Sequence, residues 1–221
     1  MPDLSFQIEG AEAVPFSASP LLNLDLRIKA GDRLPIHNVL LQCQIQIEPA
    51  RREYVASEEE QLRDLFGEPA RWKSTLRPLL WANVGVVVPG FDREALVHVP
   101  VPCTFDFNVA TTKYLYGLEG GDVPICVFLS GTIFHGGEDG GLKISKISWD
   151  REAKYRIPVG TWKQLMDMHY GNTAWLCLRK DVFDQLYRYK VRRGIPTWEQ
   201  AVETALAHAD RPEEKHAKVG I

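Results

Sequence analysis

The chain has 221 residues, 45% of them hydrophobic and 25% charged, with a formal net charge of −3. These are ordinary globular proportions, and the length suffices to bury roughly 70% of the unfolded surface in one main core. The weakly acidic balance argues against a nucleic-acid partner, which requires a basic face, and no run reaches the ~18–20 apolar residues that span a bilayer.

The opening MPDLSFQIEG has neither the basic nor the apolar stretch of a secretion signal, so the expected location is the cytoplasm, with no membrane partner. Phe6-Gln7-Ile8 starts an alternation that continues at Leu22, Leu24, Leu26 and Ile28, and again at Val39, Leu41, Cys43, Ile45 and Ile47. A period of two places one face of a strand in the core and the other in water. Ala30-Gly31-Asp32 supplies turn chemistry between the second and third of these segments, which predicts that they pair as antiparallel neighbours.

Ser57-Glu58-Glu59-Glu60 predicts a helix start, with Ser57 and Glu60 as a capping box and with Gly67 and Pro69 as the stop. Trp81–Val88 reads as a strand closed by Pro89-Gly90. From Val97 to Phe107 the alternation returns, with Pro100 and Pro102 on the polar side. Proline donates no ladder hydrogen bond, so this strand belongs at an edge or carries a bulge. Asn108–Leu118 fits a helix or a strand. Val123–Phe134 is nearly continuous in apolar residues and reads as a central strand, with Gly131 marking a bulge or a close backbone approach. Gly136–Gly141 is a hairpin loop leading to a strand over Leu142–Trp149.

Beyond Tyr155 the pattern turns helical. Pro158-Val159-Gly160-Thr161 precedes a short helix carrying Trp162, Leu165, Met166 and His169. Trp175, Leu176 and Leu178 form a short strand or the start of a helix. Asp181–Arg193 is a helix striped by Val182, Phe183, Leu186 and Tyr189, and Thr197-Trp198-Glu199-Gln200 opens another through about His208. The expected class is α+β: an antiparallel, sandwich-like β core over residues 1–155 with a helical insertion near 57–72, a helical appendage over 156–209 packed on one face or end of the core, and a disordered tail over 210–221.

Residues with chemistry are sparse. Cys43, Cys103, Cys126 and Cys177 are widely spaced, and three lie in apolar runs, which predicts reduced, buried thiols rather than a disulfide framework. The six histidines, His37, His98, His135, His169, His208 and His216, show no metal-ligand spacing, so no metal site and no cofactor are expected; a metal-binding module would need ligands converging from remote segments. A catalytic reading rests on Cys103 as nucleophile, with His98 as the local imidazole. FLSGTIF lacks the nucleophile-elbow pattern, and HGGEDGGLK lacks the phosphate-loop spacing. The aromatic residues Trp149, Tyr155, Trp162, Tyr170 and Trp175 are read as core, with an interface as the alternative.

The blocks TLRPLLW (Thr75–Trp81), VPGF (Val88–Phe91), VPCTFD (Val101–Asp106), KYLYGL (Lys113–Leu118), GDVPICVFLSGTIF (Gly121–Phe134), WKQLMD (Trp162–Asp167) and PTW (Pro196–Trp198) resemble a bacterial family of unknown function encoded beside genes for oxygen-insensitive nickel–iron uptake hydrogenases. The resemblance implies no catalytic residues. Its gene neighbourhood implies a non-enzymatic accessory protein, an assembly or maturation chaperone that binds a large or small hydrogenase subunit or a maturation intermediate. The expected contact is the basic helix face of Arg188, Tyr189, Lys190, Arg192 and Arg193, steered by charge, rather than strand addition at the proline-bearing edge.

Overall fold

The computed structural model describes residues 2–31, 35–106, 108–137, 140–171, 173 and 176–209. Two compact units result, Met1–Thr173 and Ala174–Ile221. The tail expected over 210–221 and the side chains of Phe107 and Trp175 lie outside the described residues.

Period-two patterning builds the first unit. Strands β1 (Leu4–Ala13) and β2 (Leu21–Ala30) pair antiparallel, and the other edge of β2 takes β5 (Glu94–Pro102). A second sheet contains β3 (Ile36–Ile47), β4 (Leu79–Phe91), β6 (Asp122–Gly136), β7 (Leu142–Lys146) and β8 (Glu152–Pro158). Its order is β4-β3-β6, with β7 and β8 sharing the far side of β6. Leu22, Leu24, Leu26 and Ile28 from the first sheet join Val39, Leu41, Ile45 and Ile47 from the second in one buried core. The result is the α+β class, with antiparallel sheets and helices at the C-terminal end of the chain.

The expected pairing of β2 with β3 does not occur. Both edges of β2 are filled by β1 and β5, and both edges of β3 by β4 and β6. Gly31 does not close a hairpin; its amide donates to the Asp3 carbonyl at 2.8 Å. The alternation gave the right inward residues, but period two is silent about which strand lies alongside.

β6 is the central strand expected of its apolar run. Gly131 has φ 150°, and a Cβ placed there would lie 2.1 Å from the Leu40 carbonyl oxygen, so the close backbone approach excludes any side chain. On the opposite edge of β6, β7 pairs with Thr132–Gly136 and β8 with Asp122–Phe128. The chain leaves the sheet between them. Ile147 keeps an inward position while Trp149 sits at the turn, 89% exposed. The core reading therefore fails for Trp149, holds for Trp162, and holds in part for Tyr155 and Tyr170.

The helical insertion comprises α1 (Ala56–Phe66), a 3-10 turn over Pro69–Arg71 and α2 (Trp72–Thr75). Its cap differs from the expected one. Helix α1 begins after Val55, and Glu58 rather than Glu60 accepts from the Val55 amide, at 3.4 Å. Glu58 is then held below the surface by Arg52, at 2.5 Å. Gly67, with φ 72°, ends the helix as expected.

The ambiguous segment is α3 (Val109–Tyr116), because Asn108 Oδ1 caps it by accepting from the Thr111 amide at 3.1 Å. The strand expected through Phe107 stops at Pro102. Helix α4 (Val159–Tyr170) begins earlier than expected, directly after Pro158, and buries Val159, Trp162, Leu165 and Met166.

The second unit contains α5 (Lys180–Arg192) and α6 (Trp198–Ala209). Thr197 caps α6 as expected, its Oγ1 accepting from the Gln200 amide at 3.2 Å. Leu176–Arg179 has no regular structure. No helix among the described residues is long and apolar enough to cross a membrane.

Candidate functional site

In the second unit both helices leave large apolar side chains exposed, and Ala201 is the one buried residue among the described residues of α5 and α6. Phe183, Tyr187 and Val191 follow i, i+4, i+8 spacing on α5, and Trp198, Val202 and Leu206 repeat it on α6. Residues so spaced form a ridge along a helix. All six are between 38% and 60% exposed. The ridges meet at an aromatic cluster, where the Trp198 ring lies 5.2 Å from Phe183 and 6.1 Å from Tyr187.

The residues expected to contact a partner divide at this cluster. Lys190 Nζ sits 5.5 Å from the centroid of the Trp198 ring. The Arg193 guanidinium lies 5.0 Å from the centroid of Tyr189, and its Nη1 donates to His208 Nε2 at 3.3 Å. That direction is fixed because His208 Nδ1 donates to the Thr204 carbonyl at 2.7 Å, leaving Nε2 as acceptor. Arg188 and Arg192 are exposed, one helical turn apart. Two cations thus lie over rings, and two project into water.

Cys103 is closed off. It is buried, its thiol donates to the Val101 carbonyl at 3.4 Å, and burial pushes its pKa up to about 12. The local imidazole, His98, is on the opposite side of β5 and contacts Asp25 instead. Cys43 is also raised to about 12 by burial, and Cys126 to about 11 by burial and the neighbouring Glu152 carboxylate. Cys177 is exposed.

Register brings together residues that the sequence keeps far apart. On the outer face of the first sheet, Asp25 of β2 stands opposite His98 of β5, and Glu12 of β1 is one row away. His98 Nδ1 lies 2.7 Å from Asp25 Oδ1, and the donor atoms of Glu12, Asp25 and His98 are all within 4.8 Å of one another. No spacing rule reveals this group, because it depends on two strand registers at once. A hydroxyl–imidazole pair was equally hidden. Ser145 Oγ is 2.9 Å from His135 Nε2, while His135 Nδ1 donates to the Gly136 carbonyl. His135 is buried with both nitrogens engaged, and it ties β6 to β7.

Two of the clefts on the first unit carry charged or aromatic linings. One, of about 800 Å³, is lined by Arg51, Arg52, Glu58, Asp122 and Arg156. Its arginines are already engaged: Arg52 with Glu58 and the Gly120 and Asp122 carbonyls, Arg51 with Glu48, and Arg156 with the Arg51 carbonyl. The other, of about 340 Å³, is lined by Phe105, Tyr116, Trp162, Met166 and Tyr170. Phe105 and Tyr170 pack against each other there, with ring centroids 4.6 Å apart and planes tilted by 44°.

These features define an antiparallel α+β protein carrying a separate helical unit with an apolar, cation-flanked surface. Residues 1–214 match the family of unknown function DUF6084, and the chain belongs to that family. No curated protein matches it. Among solved structures it is similar to the crystal structure of a protein named as ApaA from Bordetella pertussis, at 14% identity, covering 71% of this chain and 93% of that one with a TM-score of 0.24.

Proposed function

We propose that this protein is a non-enzymatic accessory factor that binds a polypeptide partner, a large or small nickel–iron hydrogenase subunit or a maturation intermediate of one, through its C-terminal helical unit. The observation that carries the reading is the pair of half-exposed ridges, Phe183-Tyr187-Val191 and Trp198-Val202-Leu206. Exposed aromatic side chains within a polar rim favour protein contact, since they add large buried area at low entropic cost. Arg188 and Arg192 beside the ridges would steer an acidic partner without adding much affinity. The identity of the partner rests on the resemblance to a hydrogenase-neighbouring family. The buried thiols with raised pKa values favour this reading over a Cys103 nucleophile.

Co-purification from the host tests the proposal. The hydrogenase subunits should be retained by the native chain and lost from a Phe183→Ala, Trp198→Ala variant. Charge reversal at Arg188 and Arg192 should slow capture at low salt and leave it nearly unchanged at high salt, because exposed charges are screened over ~8 Å at physiological ionic strength. Normal hydrogenase assembly and activity in a strain lacking the protein would overturn the choice of partner. Capture indifferent to both variants would overturn the choice of surface.

A further inference from the structure

We propose that Glu12, Asp25 and His98 form a binding site for a divalent transition-metal ion on the outer face of the three-stranded sheet. Three adjacent strands supply one donor each, and the donor atoms lie within 4.8 Å of one another. Two metal–ligand bonds of about 2.0–2.2 Å span at most about 4.4 Å, so binding would require small rotations of these side chains and would replace the His98–Asp25 hydrogen bond. The donor set is mixed. Two carboxylates and an imidazole suit zinc, manganese or ferrous ions, whereas calcium and magnesium favour oxygen alone.

Two further observations point to a cation. The first is charge. On the same outer face, Glu9 and Glu94 are both paired with Arg27. Among the described residues, no lysine or arginine pairs with Glu12 or Asp25; the partner of Asp25 is His98. Two neighbouring carboxylates therefore face one imidazole, an arrangement that a divalent cation neutralises and that like-charge repulsion otherwise opposes. The second is space. Gly10 stands opposite Asp25, just after the register shift between Ile8 and Gly10. A Cβ at Gly10 would come 2.8 Å from Asp25 Oδ2. The absence of a side chain at this position leaves room for the Asp25 carboxylate beside Glu12. With three protein donors, a bound ion would keep coordination positions open to water or to a further ligand, unlike a closed structural zinc site.

The test uses the full chain without an affinity tag, titrated with Zn²⁺ in a calorimeter and dialysed against Co²⁺ for absorption spectra. One ion per chain is expected. His98→Ala should abolish binding. Glu12→Gln and Asp25→Asn should each weaken it at least about tenfold, since losing even an outer-shell partner costs that much. The cobalt spectrum should lack a thiolate charge-transfer band. If His98→Ala does not fold, as judged by circular dichroism, the exposed Glu12→Gln variant decides the matter. Absence of stoichiometric binding, binding unaffected by Glu12→Gln, or a thiolate band lost with Cys177→Ser would each overturn the proposal.

Discussion

Arg52 and Glu58 form an ion pair at 2.5 Å with side chains 7% and 2% exposed. The guanidinium also donates to the Gly120 and Asp122 carbonyls, and Glu58 accepts from the Glu119 amide at 2.8 Å. One pair thus fastens the start of α1 to the turn before β6. Removing one partner strands the other charge out of water. Glu58→Ala should destabilise the first unit by about 3–5 kcal/mol, and the double variant Arg52→Met, Glu58→Leu by clearly less. Urea denaturation of the three proteins checks this. Equal losses in the single and double variants would show that the pair acts only through its shape.

Gly131→Ala should be among the most damaging single-methyl additions in this protein. The new Cβ would meet the Leu40 carbonyl at 2.1 Å, and backbone rather than a flexible side chain would have to move. A loss of about 3 kcal/mol or more, or insoluble expression, is expected from combined overpacking and strain. Gly120→Ala is the control, since the methyl group it adds would meet nothing within 4 Å. A soluble Gly131→Ala protein with wild-type denaturation midpoint would contradict the geometry.

Alkaline pH should destabilise the first unit through its thiols. Folding raises Cys43 and Cys103 to about 12 and Cys126 to about 11 from an ordinary 9.0. Above pH 9 the unfolded chain releases these protons while the folded chain holds them. The folded state then binds more protons, and stability falls as pH rises. The contribution is fully present below pH 9 and is lost between about 9 and 12. Denaturation midpoints measured across this range should fall, and less steeply in a Cys43→Ala, Cys103→Ala variant. A slope identical in that variant would assign the loss to other groups, Tyr54 and Tyr114 first, because burial raises them as well.

Trp149 should dominate solvent-quenchable fluorescence from the first unit. It is 89% exposed, against 4–5% for Trp72, Trp81 and Trp162. Trp149→Phe should remove most acrylamide quenching from a protein truncated after Thr173, with little change in stability, as for most surface substitutions. Unchanged quenching would place Trp149 against the body of the sheet.

The faces of the strands were readable from sequence, but their partners were not. Leu22 to Ile28 and Val39 to Ile47 announced their inward sides because alternation depends only on each strand's own burial. Whether β2 would pair with β3 depended on β1 and β5 being the strands that fill its edges, a competition settled by distant segments. The same dependence hid Glu12, Asp25 and His98, which meet only when the β1–β2 and β2–β5 registers are both set. On α5, the basic residues were evident from composition. Their division was not, because Lys190 and Arg193 reach rings contributed by another helix or by the preceding turn of their own. Trp149 misled for a simpler reason: its hydrophobicity suggested burial, while the break between β7 and β8 placed it on a turn.

The order in which strands enter the two sheets has a consequence for synthesis. β1 and β2 emerge together, yet the open edge of β2 waits for β5, and that of β3 waits for β6. A chain arrested before Asp122 therefore carries the β3–β4 pair with a bare, apolar-rich flank at β3, a template for pairing between nascent copies. Ribosome stalling or proteolysis in the α3 region would yield sticky half-sheets, whereas a cut after Thr173 would leave every strand with its neighbours. The long central strand closes the flank of β3 but opens an edge of its own, so the hazard ends only when β7 and β8 have emerged to cover it.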